Sequence, residues 1–170
     1  MGRTSNPPSA TKRTLHLAVA PNLTVATFAV ADPSTYVAIT PCRIVDTRQA
    51  GGSLANREIR DVQVLGAGSG FAAQGGKANG CDLPTDAVAV EASVTAVDPA
   101  DSGFFRAWPS DESMPNATFM NFDRGMDITN TGSLTIDADD ETDHLRIRNF
   151  GGRSHYVIDI QGYFVPPLVD

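Results

Sequence analysis

From residue 36 onward, apolar and polar side chains alternate with period two, and Gly, Pro, Asn and Asp cut the alternation into short runs. In "DAVAVEASVTAV" (86–97), Val88, Val90, Ala92, Val94 and Ala96 share one face, with Ala87, Ala89, Glu91, Ser93 and Thr95 on the other. In "SHYVIDIQGYF" (154–164), Tyr156, Ile158, Ile160 and Phe164 fall on one side and Val157, Asp159, Gln161 and Tyr163 on the opposite one. Shorter runs of the same kind are "REIRDVQV", "GFFRAWP", "ATFMNF", "SLTID" and "HLRIRNF". Nowhere does an apolar repeat of helical period persist over three turns. The pattern predicts seven to ten strands in an all-β, antiparallel β-sandwich of jelly-roll type, over residues 32–170.

Residues 1–31 read differently. In "TLHLAVAPNLTVATFAVA", Leu15, Leu17 and Val19 alternate, and Leu23, Val25, Thr27 and Ala29 repeat the pattern after Pro21-Asn22. His16, Pro21, Asn22 and three threonines interrupt any signal-peptide core, so two strands around a turn are expected. This segment holds Arg3, Lys12 and Arg13 and no acid, whereas the remaining 139 residues carry 10 basic and 20 acidic side chains. A basic, strand-forming arm on an acidic body suggests docking, on its own body or on a neighbour's. The overall formal charge of −7 argues against nucleic acid or an anionic membrane as partner. No membrane span is predicted.

Between strands, "GAGSGFAAQGGKANG" (66–80) is too rich in glycine for a regular element and predicts a long surface loop. Its lysine is not followed by Ser or Thr, so a phosphate-binding loop is a poor reading. The two cysteines, Cys42 and Cys81, are too few for a zinc site. Each flanks a predicted strand end. A disulfide between them would contribute about 4 kcal/mol through loop-closure entropy; two separately buried thiols are the alternative.

"YVAITPCRIVDTR", "CDLPTDAVAVEASVTAVDPADSGFFRAWPS", "MPNATFMNF" and "HYVIDIQGYF" resemble, in that order, a β-rich module of bacterial secreted and cell-surface proteins. The likeness covers about residues 36–164 and leaves the arm outside. That module pairs a Pro-Cys-Arg strand ending in Asp-Thr-Arg with a second cysteine, and closes on Asp-x-x-Gly-Tyr-Phe. The resemblance implies a non-catalytic surface module in which Cys42 and Cys81 are joined. Asp46, Thr47 and Arg48 fall on its Asp-Thr-Arg, and Asp159, Gly162, Tyr163 and Phe164 on its closing motif. Ser93 stands where the module usually has Asn.

Asp46-Thr47-Arg48 is read as a fold lock. Asp and Thr at a strand end satisfy nearby backbone groups, and Arg48 can pair in bidentate fashion with Asp46 or with Asp159. "DADDETDH" (137–144) carries five carboxylates and could offer Asp137, Asp139, Glu141 and Asp143 to Ca²⁺. It lacks the glycine of a sharp calcium loop, and a solvated hairpin tip is the preferred reading. His16, His144 and His155 are scattered, and no nucleophile or metal-protease motif is present. Asp98, Asp101, Asp111 and Glu112 flank "GFFRAWP", in turn segments where such residues serve the backbone. Phe104 and Trp108 share a face, and Trp108 with Tyr163 could stack on a sugar, although packing in the core is the commoner use of such residues.

The expected function is non-enzymatic and without cofactor: a structural protein on the exterior of a particle, such as a phage virion decoration or tail component. The arm, through Leu15, Leu17, Val19, Leu23 and Val25, would add to a neighbouring sheet edge. Partners would be the chain itself, with a trimer expected for a capsid site, and a capsid or surface scaffold protein. A bacterial surface or filament subunit, or a glycan-binding adhesin, is the alternative, and the setting is the virion exterior or the cell surface.

Overall fold

A computed structural model describes residues 33–167. The strands are β1 (Thr35–Asp46), β2 (Ile59–Val62), β3 (Ala89–Val97), β4 (Gly103–Pro109), β5 (Met120–Phe122), β6 (Ile128–Thr135), β7 (Leu145–Gly151) and β8 (His155–Val165), with one helical turn, α1 (Gly70–Ala73). They form two four-stranded antiparallel sheets, ordered β1-β8-β3-β6 and β2-β7-β4-β5. The pairs β4–β5, β3–β6, β2–β7 and β1–β8 are those of one long antiparallel hairpin rolled up so that its pairs alternate between sheets. That winding is the jelly roll, and the predicted all-β sandwich is what the chain forms. The predicted arm, including Leu15, Leu17, Val19, Leu23 and Val25, lies outside the described residues.

Period two dictates which side chains meet between the sheets. From β3, Val90, Ala92, Val94 and Ala96 are fully buried, while Glu91, Ser93 and Thr95 line the outer face. Ile158 and Ile160 from β8 join them, and Phe105, Phe122, Leu145 and Ile147 come from the second sheet. Phe105 sits at the centre, its ring centroid 4.9 Å from Phe122 and 6.1 Å from Tyr156. Ala87 is also buried, against its predicted facing, because it precedes the strand and so escapes the alternation.

Three register irregularities break the pattern, one between β8 and β3 and two between β1 and β8, the second of these at Arg43/Val45. On β8, Ile160 opposes Ala92 but Gly162 opposes Glu91, so Gln161 is an extra residue. The alternation flips there: Tyr163 packs on the core and Phe164 turns outward to Tyr36, the reverse of the predicted facing. Gly162 lies under the Tyr36 ring, which a Cβ would strike. On β1, the register slips between Ala38 and Cys42, around Pro41, which lacks a ladder donor and is tolerated at such an irregularity.

The predicted surface loop 66–80 is more deeply built in than expected. Phe71, on α1, is fully buried in the core. Beyond it the loop runs along the outer edge of β1: the Asp46 amide donates to the Gln74 carbonyl (3.0 Å) and the Lys77 amide to the Arg43 carbonyl (2.8 Å). Gly75, at φ +79°, and Gly76 pass so close to the Asp46 and Ile44 carbonyls that no Cβ fits at either. Gly75 and Gly76, two of the glycines that suggested a surface loop, are there for close backbone approach.

Candidate functional site

Four places hold the chemistry singled out in the sequence. At the end of β1, Asp46 is buried and its carboxylate accepts from Arg48 at both oxygens: the backbone amide (3.1 Å) and Nε (2.8 Å) reach Oδ1, and Nη2 (2.7 Å) reaches Oδ2. Arg43 adds Nη1 at 3.2 Å and spends Nε and Nη2 on Asp159, at 2.8 and 3.0 Å. Arg48 beside Asp46 holds that carboxyl below the usual carboxylate range, while the hydrogen bond to Asp159 raises the Arg43 guanidinium. Of the two partners considered for Arg48, the structure selects Asp46. The partner of Asp159 is Arg43, which sequence reasoning missed although it is the arginine of Pro-Cys-Arg, opposite Asp159 in the register.

Thr47 is buried between them. Its hydroxyl accepts from the Tyr156 amide (2.9 Å) and sits 3.1 Å from both the Tyr156 carbonyl and His155 Nδ1. The Asp46 carboxylate and the Thr47 hydroxyl are thus turned to the protein, with Thr47 clasping β1 to β8 where the ladder ends and Arg48 remaining partly exposed. The arrangement fixes geometry.

Cys42 and Cys81 form a disulfide, with Cα atoms 5.9 Å apart. It joins β1 to the end of the glycine-rich loop, on the same edge the loop covers. Disulfides persist in oxidising settings, so the chain belongs to an extracellular or secreted environment. Among the described residues, no helix is long and apolar enough to cross a membrane.

The acidic run 137–144 is not a hairpin tip. It carries the chain from β6 in one sheet to β7 in the other. Asp140 accepts from the Thr142 and Asp143 amides (2.8 Å each), and Asp137 from the Asp139 amide (3.1 Å) and the Ser110 hydroxyl (3.0 Å), which also bonds the Asp143 carbonyl. Asp137, Asp139, Glu141 and Asp143 do not converge, and no cluster of three or more metal-binding side chains occurs among the described residues. His144 is buried; its Nδ1 accepts from the Val64 amide (3.2 Å), and burial lowers its pKa.

Trp108 and Tyr163 are not brought together, for they belong to different sheets. Trp108 does share the outer face of β4 with Phe104, as expected, yet it is only 5 % exposed. The loop after β4 covers it, and its indole N–H donates to the Glu112 carbonyl (3.1 Å). Phe104 stacks on Phe150 (4.7 Å, 12°), and the Arg106 and Arg148 guanidiniums lie 5.1 and 4.9 Å from the Phe150 centroid. These ring faces are occupied by one another and by cations, which leaves no open aromatic platform here.

A groove of about 750 Å³ opens at the side of the sandwich where β4 and β6 approach. Core residues Leu134 and Ile136, with Phe119 and Trp108, supply its apolar lining; Asp111 and Glu112 stand on its rim. Both walls are unpaired strand edges among the described residues. β6 pairs only with β3, and β5 covers β4 only over Gly103–Phe105, leaving Ala107–Pro109 without a strand partner on that side, although the Pro109 carbonyl accepts from the Glu112 amide (3.2 Å). Sequence reasoning missed this groove because it arises from where β5 stops, which no local motif encodes.

No protein-family model matches the chain, and a search of the curated proteins found no match.

Proposed function

We propose that this chain is a non-enzymatic assembly protein on the outside of a particle, most simply a phage virion decoration or tail component, joined to its neighbours through residues 1–31. The observation that carries the reading is the pair of strand edges, unpaired among the described residues, on a disulfide-stapled jelly roll whose chain also has an N-terminal sequence that alternates as a strand should. An open edge is a template for strand addition and is normally blunted or used. Jelly rolls are common among capsid domains, and the motif likeness to a bacterial surface module agrees with an exterior setting. Asp46, Thr47, Arg48 and Asp137 are engaged in structural bonds, in keeping with a structural role.

A bacterial surface or filament subunit shares all these features and is the second reading. The glycan-binding adhesin is weaker, because Trp108 is covered and Phe104 is stacked on Phe150. Light scattering on the full chain and on a chain beginning at Ala31 tests the proposal. A full-chain oligomer, a trimer by our expectation, should fall to monomer without the arm; a monomer in both would refute self-assembly.

A further inference from the structure

We infer that the groove between β4 and β6 is the receptor for residues 14–19 of a second copy of this chain. This deepens the assembly reading above and rests on it. An occupant of the groove must meet three conditions: unpaired backbone on both walls, an apolar floor, and an acidic rim. An extended segment satisfies the first, because its main-chain N–H and C=O groups can pair with the outer edge of β6 and, on the other wall, with Ala107 of β4. Alternating apolar side chains satisfy the second, reaching Leu134, Ile136 and Phe119 on every other residue. Basic side chains at one end satisfy the third, opposite Asp111 and Glu112.

The chain contains such a segment. "KRTLHLAV" begins with Lys12-Arg13 and continues with Leu15, Leu17 and Val19 at alternate positions. Its charge is opposite to that of the body, which carries a net of −10 over residues 32–170. Reach is sufficient: thirteen residues separate Val19 from Pro33, about 45 Å when extended, enough to cross to an adjacent molecule. The groove is also short enough to be filled. The wall on the β6 side is the end of that strand, Ser133–Thr135, and the following Ile136, which five alternating residues of the arm would cover.

The pairing is heterologous, arm to groove, so each molecule gives one arm and receives one. Such contacts close into a ring or run on as a filament. In either case the single tryptophan reports on it, since Trp108 lines the groove.

The test is photo-crosslinking in the full chain, with a benzophenone side chain replacing Leu17 and equal parts of ¹⁵N-labelled and unlabelled protein. Mixed-isotope crosslinks should map to residues 107–119 or 133–136. In parallel, the double variant Asp111→Lys/Glu112→Lys, whose exposed side chains lie outside the core, should weaken self-association about tenfold at low salt and less at high salt. Ala117→Arg, also exposed on the groove, should weaken it at both. Mixed crosslinks mapping elsewhere, with an oligomer indifferent to all three substitutions, would overturn the groove while leaving arm-mediated assembly intact. Crosslinks within single molecules only would overturn exchange between copies. A full chain that is monomeric at every concentration would overturn this inference and the assembly reading together.

Discussion

Thr47 and Tyr156 are joined by a reciprocal set of bonds: the Thr47 amide donates to the Tyr156 carbonyl (3.1 Å), and the Tyr156 amide donates to the Thr47 hydroxyl (2.9 Å). A side-chain oxygen thus completes a rung that the backbone of β1 no longer supplies. Thr47→Val keeps the shape and leaves the buried Tyr156 amide without an acceptor. The expected loss is about 2 kcal/mol, read as a lower denaturant midpoint at unchanged m-value. Thr47→Ser, which keeps the hydroxyl, should lose much less.

Asp46 links stability to pH. Its carboxyl is held below the ordinary range in the folded state, chiefly by Arg48, so the unfolded chain takes up its proton first as pH falls. The contribution is full above the ordinary carboxylate pKa of about 4 and is lost on acidification from there through the folded value. Asp46→Asn should cost about 2 kcal/mol at neutral pH, by weakening its charge-assisted hydrogen bonds to two half-exposed arginines, and flatten that part of the stability profile. A variant with the parent's acid limb would show that other carboxylates govern it.

The Cys42–Cys81 bond closes a loop of 39 residues in sequence. Reduction, or the pair Cys42→Ser/Cys81→Ser, should lower stability by about 4 kcal/mol by loop-closure entropy. Limited proteolysis should then cut first within 66–80, with Phe71 drawn out of the core. Cleavage starting elsewhere would mean that α1 holds the loop unaided.

Calcium should leave the melting temperature unchanged at millimolar concentration, because Asp137 and Asp140 already accept hydrogen bonds from the loop's own backbone. A rise in melting temperature that Asp137→Asn abolishes would restore 137–144 as a cation site.

Trp108 should emit as a buried indole in the native state. Trp108→Phe, losing the bond to the Glu112 carbonyl, should loosen the loop after β4 at a cost of about 1 kcal/mol. Faster hydrogen exchange across 110–118 with the sheets unaffected is the measurement.

The sheet-forming half of this molecule was legible because period two is a property of single strands: Val90 to Ala96 could be placed from their spacing alone. Tyr163 and Phe164 could not, since a bulge of one residue at Gln161 inverts everything after it and leaves no mark in the alternation. The glycines at 75 and 76 misled for a related reason. Glycine signals either freedom or crowding, and only the neighbouring Ile44 and Asp46 carbonyls decide which. Arg48 with Asp46 was readable at two residues' distance, whereas Arg43 with Asp159, 116 residues apart, needed the register of β1 on β8. The groove was least legible of all, being defined by the end of one strand and the outer edge of another.

β8 is an inner strand of the first sheet, lying between β1 and β3, and it is also the last strand of the chain. Thr35 meets Val165 across nearly the full length of the body. A nascent chain can therefore complete neither its first sheet nor the clasp at Thr47 until His155–Val165 has been made. Closing so long a loop before any reward is slow, on the order of milliseconds to seconds for all-β domains of high contact order. Synthesis from the N-terminus likewise brings out residues 14–19 well before the β4 and β6 edges that line the groove.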